Sequence, residues 1–241
     1  ILHSFKNDQQ LRVGVRDLLG RDDIQATTGV LSDIAEVCLS QIVASEYQKL
    51  IGKFGRPRIG DGPRAGEPCD VIVMALGKFG GREMNYHSDL DVVFLYEADG
   101  QTAFDFGQWV ARSTSNQHFF SELGQRIIKT ASRLSPNGKL YEVDARLRPT
   151  GKSGSLATSL AEFSRYYAEG AGQLWERQAL CKARLVYGSP RAVRSAKAAI
   201  QRAAFSRRWR RKDADEIRQM RMRLEGTATV GDLKRGPGGI V

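Results

Sequence analysis

Residues 70–96 of this chain read DVIVMALGKFGGREMNYHSDLDVVFLY, and this stretch decides the fold. An apolar run from Val71 to Leu76 leads into a glycine-rich turn, and a second apolar run follows from Leu90 to Tyr96. Both runs are short and rich in apolar and β-branched residues, which is typical of buried strands. The sequence therefore predicts two buried strands separated by a glycine turn.

Two aspartates open the second strand at alternate positions. Because side chains alternate across a strand that rises ~3.3 Å per residue, Asp89 and Asp91 are expected on the same face. Two neighbouring carboxylates repel each other unless a cation lies between them. Mg²⁺ prefers carboxylate oxygens and keeps water or phosphate as its other ligands. The pattern therefore predicts metal-dependent chemistry on a phosphate compound.

The glycine turn between the strands contains Gly77, Gly80 and Gly81. Glycine lets backbone N–H groups approach a ligand closely, and runs of such groups bind anions. The turn has neither the G-x-x-x-x-G-K-[ST] pattern of a Walker A loop nor the G-x-G-x-x-G fingerprint of a dinucleotide site. By itself it is explained by a tight strand-to-helix connection, but next to the aspartates it favours phosphate binding.

A third motif, YEVDARLRP, covers residues 141–149. Its alternation predicts a strand with the odd-numbered apolar residues on one face and the charged residues on the other, ended by Pro149. A half-buried strand with a solvated charged face would show the same alternation. Alternatively, Asp144 supplies a third carboxylate, and Arg146 or Arg148 clamps phosphate oxygens.

These motifs resemble the DNA polymerase β-like nucleotidyltransferase superfamily, in which Ser-Asp-x-Asp follows a glycine turn and a later strand supplies another aspartate. Longer stretches resemble the family of glutamine synthetase adenylyltransferase/adenylyl-removing enzymes. They are GKFGGREMNYHSDLDVVFLY (77–96), YEVDARLRPTGKSGSL (141–156), WERQALCKARLVYG (175–188), FKNDQQLRVGVRDLLG (5–20) and LKRGPGGIV (233–241). The resemblance covers nearly the whole chain.

The resemblance implies a set of site residues. Asp89, Asp91 and Asp144 would be catalytic and would hold Mg²⁺, or Mn²⁺ in its place. The phosphates of ATP would be bound by Gly77, Lys78, Gly80, Gly81, Ser88, Arg146 and Arg148. Many superfamily members have a phosphate-contacting serine at the position of Gly81. A second glycine is usual in this family, so backbone amides would take that role.

The resemblance also implies an activity: AMP is transferred from ATP to a tyrosine of glutamine synthetase, and pyrophosphate leaves. Full-length family members carry two nucleotidyltransferase domains, and the other removes AMP by phosphorolysis, which gives ADP. This chain has one Ser-Asp-x-Asp motif, so it corresponds to one half. YEVDARLRP and KARLVYG favour the transferring half, whereas NQHFFSELGQRII and AFSRRW resemble the removing half. The implied partners are glutamine synthetase and, through the full-length enzyme, a PII signalling protein.

The order of the predicted elements indicates an α+β fold, a mixed sheet with flanking helices and helical segments at both ends. We expect an N-terminal helical segment (1–58), a nucleotidyltransferase catalytic domain (69–190), and a helical segment (191–241) leading into a further helical domain outside this chain. The Pro- and Gly-rich stretch 56–68 indicates a linker. Apolar stripes predict amphipathic helices around residues 31–42, 119–128, 163–167, 175–180 and 217–224.

The composition limits the classes of protein to consider. The chain has 241 residues, enough to bury a substantial core, and a formal net charge of +10. Its three cysteines have no paired spacing, which indicates a reducing, cytoplasmic setting. No apolar stretch approaches the ~20 residues that span a membrane, and no signal peptide is visible. The chain is expected to be an excised piece of a longer protein that has no membrane partner.

The positive charge is concentrated near the C-terminus. Residues 202–223 contain nine basic and three acidic residues, with Phe205 and Trp209 among the arginines. Such a segment fits nucleic acid, so a template-independent nucleotidyltransferase acting on RNA is an alternative, and a non-enzymatic regulatory module is another. The long family motifs argue against an RNA-directed enzyme, and the three carboxylates argue against a non-enzymatic module. A solvated helix face, left open by the absence of a following domain, is the preferred explanation, and no nucleic-acid partner is expected.

Overall fold

The computed structural model describes residues 1–104, 113–136 and 138–227. Its central feature is a mixed sheet of five strands in the described part of the chain. Strand β2 (Val71–Ala75) is antiparallel to β3 (Leu90–Tyr96) on one side and to β7 (Arg184–Tyr187) on the other. The outer edge of β3 pairs in parallel with β5 (Val143–Asp144) and with β6 (Ala157–Ser159). A separate small ladder joins β1 (Arg56–Pro57) to β4 (Thr102–Ala103).

The helices of the described ranges flank this sheet and extend the chain at both ends. They are α1 (Leu2–Leu18), α2 (Ile24–Phe54), α3 (Gly77–Gly80), α4 (Asn116–Ser132), α5 (Leu160–Ala168), α6 (Leu174–Leu180), α7 (Pro190–Phe205) and α8 (Arg211–Gly226). Side-chain oxygens of Asp23, Ser115, Ser159 and Ser189 cap the N-termini of α2, α4, α5 and α7. The α+β fold with a mixed sheet and flanking helices is confirmed.

The sheet buries both of its faces. Val71 and Val73 of β2 pack with α2 and α4, whereas Ile72 and Met74 pack with α5 and α7. All five residues of β2 are therefore buried, and the strand is apolar throughout. Asp91 alternates in step with Val93, which belongs to the α5–α7 side. The carboxylate of Asp91 thus lies on that side of the sheet, at the start of β3.

Most of the predicted apolar stripes are confirmed. The stripe 31–42 lies on the buried face of α2, and residues 119–127 form the buried face of α4. The expected N-terminal helical segment (1–58) contains two helices, because α1 ends at Leu18 and α2 begins at Ile24. No helix in the described ranges is long and apolar enough to cross a membrane. The domain boundaries stay predictions, and residues 228–241 of the expected C-terminal segment lie outside the described residues.

The interpretation of residues 56–68 as a linker is wrong. This segment is ordered by the β1–β4 ladder and by a bridge between Arg58 and Pro68. Arg64 donates to Glu97 over 2.9 Å, and the Glu97 side chain is only 3% exposed. Because a buried carboxylate is costly without partners, Glu97 also accepts from the backbone N–H of Asp70. This ion pair fixes the Pro- and Gly-rich segment at the far end of β3.

The predicted strand over residues 141–148 is wrong in its extent. Only Val143 and Asp144 are in a strand, and they pair with Leu90 and Asp91. Farther along β3, the same edge pairs with β6. Strand β5 therefore cannot extend along β3 beyond its first residues. In addition, the carboxylate of Asp144 accepts from the backbone N–H of Arg146 over 2.9 Å, which turns the chain away from the sheet.

Gly80 is expected to be essential for stability. A Cβ at this position would lie 2.2 Å from the carbonyl oxygen of Lys182 and 2.8 Å from that of Ala75. Because both neighbours are backbone atoms, Gly80→Ala should lower the free energy of unfolding by about 1–3 kcal/mol. Urea denaturation followed by circular dichroism measures this change.

Gly52→Ala is the matched control for that measurement. Gly52 is exposed in α2, and a Cβ there would meet nothing within 4 Å. Since alanine favours a helix over glycine, this variant should be more stable than the parent by roughly 0.5–1 kcal/mol. Equal stability of the two alanine variants would contradict the close packing at Gly80.

Candidate active site

Two of the predicted carboxylates lie side by side on neighbouring strands. Asp91 of β3 and Asp144 of β5 are register partners in a parallel pair. Neighbouring strands run ~4.8 Å apart, and partners in register project to the same face of the sheet. The structure therefore brings together two aspartates that are separated by 53 positions in the sequence (144 − 91).

The glycine turn packs against Asp91, the first member of this pair. Gly77 has φ of +52°, and a Cβ on it would lie 2.4 Å from the Oδ2 atom of Asp91. Any other residue would displace the carboxylate, so glycine is required both by the backbone angle and by the contact. The backbone of Asp91 also accepts from the N–H of Leu76 over 2.9 Å. The turn and the first aspartate of the strand are thus one rigid unit.

The guanidinium of Arg146 offsets charge on the carboxylates. Arg146 donates to both oxygens of Asp144, with Nε at 2.9 Å from Oδ1 and 2.8 Å from Oδ2. The pKa of Arg146 lies above its ordinary value, first because of these hydrogen bonds to Asp144 and also through attraction to Asp91 and Asp89. All three predicted metal-binding aspartates therefore act on the same cation.

A cleft of about 420 Å³ opens beside these groups. Its lining includes Asp89, Asp144, Arg146 and Arg148, with Ile128 and Leu156 as apolar walls. Arg148 is partly buried and donates to the carbonyl oxygen of Ala145 over 2.6 Å. Burial lowers the pKa of its guanidinium, whereas Asp144 raises it. Arg148 therefore shapes the wall of the cleft, while the side chain of Arg146 is 67% exposed.

The carboxylates are suited by their chemistry to a hard divalent cation. Three aspartates at one end of a sheet offer only anionic oxygens, which is the donor set that Mg²⁺ and Mn²⁺ accept. Within the part of the chain that the structure describes, no group of three acidic, histidine or cysteine side chains converges as a metal centre. Both oxygens of Asp144 are meanwhile bound by Arg146. Metal binding would thus require the guanidinium to give up those oxygens.

The remaining predicted phosphate-binding residues differ in their surroundings. The N–H of Gly80 donates to Leu76 over 2.7 Å, and that of Gly81 donates to Gly77 over 3.0 Å. These two amides are occupied as the turn stands. Ser88 exchanges hydrogen bonds with Asn85, so its hydroxyl stabilises the loop that delivers Asp89. Lys78 is half-buried in α3, next to Gly77.

The sequence motifs did not single out Arg184. This residue supports the glycine turn by binding its backbone carbonyl groups. Its guanidinium donates to the carbonyl oxygens of Phe79 over 3.0 Å and Gly80 over 3.3 Å, and it pairs with Glu36 of α2. These groups are 104 or more positions away from it in the sequence, so no local pattern indicates the contact. A charged residue at the start of an otherwise apolar strand is the one signal that could have found it.

A second ion pair ties the turn to the N-terminal helices. Arg82 has φ of +59°, an uncommon angle for a residue other than glycine. Its guanidinium binds both oxygens of Asp33 in α2, at 2.6 and 2.9 Å, and these bonds offset the strain of the backbone. On the other side of the turn, Lys182 donates to Glu83 over 2.7 Å. Helix α2 and the loop after α6 therefore both position the glycine turn.

Comparison with known proteins gives a consistent result. The family model described as glutamate-ammonia ligase adenylyltransferase matches residues 1–199, which contain the glycine turn and all three aspartates. That family name agrees with the resemblance drawn from the motifs.

The curated relatives are much longer than this chain. A bifunctional glutamine synthetase adenylyltransferase/adenylyl-removing enzyme of Thioalkalivibrio sulfidiphilus is 35% identical over 99% of this chain and 24% of its own length. The enzyme of the same name from Pseudomonas aeruginosa is 38% identical over 79% of this chain, and that from Burkholderia mallei is 41% identical over 72%. The match covers 18% of each of these two relatives, so the chain spans at most about a quarter of the relatives compared.

Arg184→Met should loosen the glycine turn. The change removes donors from the Phe79 and Gly80 carbonyls and leaves Glu36 without its cation, which should cost about 1–3 kcal/mol. We expect faster amide hydrogen exchange in residues 77–81, measured by mass spectrometry, in addition to a lower free energy of unfolding. Arg12→Met, at an exposed position of α1, is the control and should leave exchange in the turn unchanged. Unchanged exchange in the Arg184 variant would contradict its role.

Proposed function

This chain belongs to the glutamate-ammonia ligase adenylyltransferase family, and we propose on that basis that it is a nucleotidyltransferase unit that transfers AMP from ATP to a tyrosine of glutamine synthetase. The observation that carries this proposal is the register pair of Asp91 and Asp144 beneath the Gly77 turn. Asp89 lies at the same end of the sheet, and Arg146 is the cation that these carboxylates share. Carboxylates and an exposed guanidinium beside an open cleft are the groups that a triphosphate and its metal ion need.

In this proposal Asp89, Asp91 and Asp144 hold a divalent cation, Mg²⁺ or Mn²⁺. When bound, the metal ion would neutralise charge on the phosphates and on the departing pyrophosphate. The guanidinium of Arg146 then moves from Asp144 to the phosphate oxygens, which it can bind in the same two-pronged way. Lys78 and the glycine turn lie on the other side of Asp91 and border the same phosphates.

The chain's own residues then account for the transfer. The tyrosine oxygen attacks the α-phosphorus of ATP; the new O–P bond forms as the bond to the pyrophosphate oxygen breaks. An oxygen of Asp144, once released by Arg146, takes the hydroxyl proton. Arg148 keeps the wall of the cleft in place through the carbonyl oxygen of Ala145. The turn held by Arg184 and Arg82 keeps Asp91 fixed during the reaction.

A second activity is proposed for the same site, because the relatives' names include an adenylyl-removing enzyme. In that direction phosphate attacks the phosphorus of AMP-tyrosine and gives ADP, and the tyrosine oxygen regains its proton. Both directions use the same carboxylates and differ in the co-substrate. The motifs YEVDARLRP and KARLVYG support transfer as the main activity. Regulation by a PII signalling protein would require parts of the relatives that this chain does not span.

Three assays of the 241-residue chain test the proposal and its alternatives. Attachment of labelled AMP to glutamine synthetase, with ATP and Mg²⁺, supports transfer. Release of ADP from AMP-modified glutamine synthetase and phosphate, without attachment, assigns the chain to removal. Labelling of single-stranded RNA in place of either protein reaction would overturn the proposal. We expect attachment at a low rate, since the remainder of the relatives' length is absent.

Asp91→Asn and Asp144→Asn should each abolish AMP transfer. An amide retains the shape of the side chain but removes the charge that holds the cation, so kcat should fall by on the order of 10²-fold or more. Asp89→Asn should behave in the same way. Initial rates of AMP attachment, with circular dichroism to verify folding, give the measurement.

Asp61→Asn is the matched control for the aspartate series. Asp61 is exposed in the segment 56–68, which is anchored at the far end of β3. Its amide variant should have the activity of the parent. An Asp91 or Asp144 variant that retained nearly full activity would exclude the proposed site.

The two arginines of the cleft should respond differently to lysine. Arg146→Lys keeps the charge but loses the two-pronged contact, so the KM for ATP should rise about tenfold while stability is unchanged. Arg148→Lys should instead lower the free energy of unfolding by about 1 kcal/mol, because Arg148 binds backbone carbonyls of the cleft wall. Kinetics and urea denaturation of both variants measure this contrast, and the reverse result would contradict the assignment.

A further inference from the structure

The segment that contains α7 and the turn after it has an unusual charge. Residues 190–212 include nine basic residues and no acidic residue. Two large rings in it are exposed to solvent, Phe205 at 68% and Trp209 at 60%. We define the basic platform by its exposed residues Arg202, Phe205, Arg208, Trp209, Arg211 and Lys212. The proposed AMP-transfer chemistry makes no use of this surface.

The platform lies at the same end of the sheet as the carboxylates. Helix α7 begins at the opposite end, where Arg191 donates to Glu67 over 2.8 Å and lies 3.7 Å from Glu97, just after β3 ends. The carbonyl oxygen of Ala203, at the other end of α7, accepts from Arg177 of α6. Helix α6 leads directly to Lys182, whose backbone packs against Gly80 of the glycine turn. The C-terminal end of α7 is therefore on the side of the glycine turn.

The turn between α7 and α8 has a defined structure. Asp213 is 1% exposed, and its carboxylate accepts from the guanidinium of Arg207 over 2.7 Å and from the backbone N–H of Arg210 over 2.8 Å. A buried carboxylate with these partners fixes the loop on either side of Trp209. The platform is thus a built surface with anchored backbone.

We propose that the basic platform docks an acidic patch of the folded protein substrate close to the tyrosine that reacts; this rests on the proposed function. Arginine binds carboxylates in a two-pronged geometry, and Arg and Trp are the residues that most often dominate protein interfaces. A tyrosine on a folded protein must enter a cleft of about 420 Å³, so contacts outside the cleft must supply much of the binding energy. A basic surface at the same end of the sheet meets that need.

The test uses charge reversal in the 241-residue chain. Arg208→Glu, Arg211→Glu and Lys212→Glu are combined in one variant; two of these positions open α8, where acidic side chains favour the helix. At low salt, the KM for glutamine synthetase should rise on the order of tenfold or more with little change in kcat. Raising the salt to about 0.5 M should reduce the difference, because salt screens exposed charges. Affinity for ATP should stay as in the parent.

A matched variant controls for net charge. Arg12→Glu, Arg21→Glu and Lys129→Glu make the same charge change at exposed positions on the α1–α4 side of the sheet. This variant should retain the KM of the parent. Binding of glutamine synthetase to each chain is also measured directly by interferometry, so that docking is tested independently of turnover.

The possible outcomes separate the two proposals. If the parent binds glutamine synthetase through the platform but transfers no AMP in either direction, the proposed function fails and the docking surface stands. The docking inference is overturned if the reversal variant binds like the parent, if the control variant loses as much affinity, or if the parent does not bind at all. It is also overturned if reversal weakens binding of a single-stranded RNA oligonucleotide and leaves binding of glutamine synthetase intact.

Discussion

Repulsion between carboxylates is the constraint on which the rest of this site depends. Asp91 and Asp144 are half-buried register partners at one end of a sheet, and exposed Asp89 lines the same cleft as Asp144, so three like charges are held close together. The structure relieves the repulsion with Arg146, which binds Asp144 directly and is attracted by the other two. Carboxylates that are stabilised by a guanidinium can also be stabilised by a metal ion. The metal ion would take the place of Arg146 at Asp144. The exposure of Arg146 allows that movement, whereas Arg148 is held by backbone carbonyls.

The sharing of one edge of β3 by two short strands decides where the cleft forms. Strand β3 pairs with β2 from Val92 to Tyr96, and its other edge is shared by β5 at the start and β6 at the end. The chain between β5 and β6 is thereby forced out of the sheet, and it forms the wall of the cleft that contains Arg146 and Arg148. Had residues 141–148 continued as a strand, these arginines would have lain on a flat sheet face. The loss of ladder hydrogen bonds therefore creates the cavity.

Ion pairs of different burial have different roles in this fold. The pair of Arg64 with Glu97 is nearly inaccessible at the carboxylate end and anchors an irregular segment, so breaking it would leave a buried charge. The pairs of Arg82 with Asp33 and of Lys182 with Glu83 are exposed at both ends, and each alone contributes little to stability. They matter because of where they lie, since they connect the glycine turn to α2 on one side and to the loop after α6 on the other. The basic platform has charged groups of both kinds. Its buried Asp213 fixes the backbone, and its outer arginines are exposed to solvent.

The sequence by itself determined the features that depend on near neighbours. Apolar runs identified β2 and β3 almost to the residue, helical periodicity identified the buried faces of α2 and α4, and the residue motifs identified the glycine turn and the aspartates. Only the tertiary structure decided the register that pairs Asp91 with Asp144, the early end of β5 and the support of the turn by Arg184. The physical reason is the distance along the sequence over which each kind of interaction acts. Side-chain period and turn chemistry act over a few residues, whereas Arg184 meets Glu36 across 148 positions, and such contacts exist only once packing has brought the elements together.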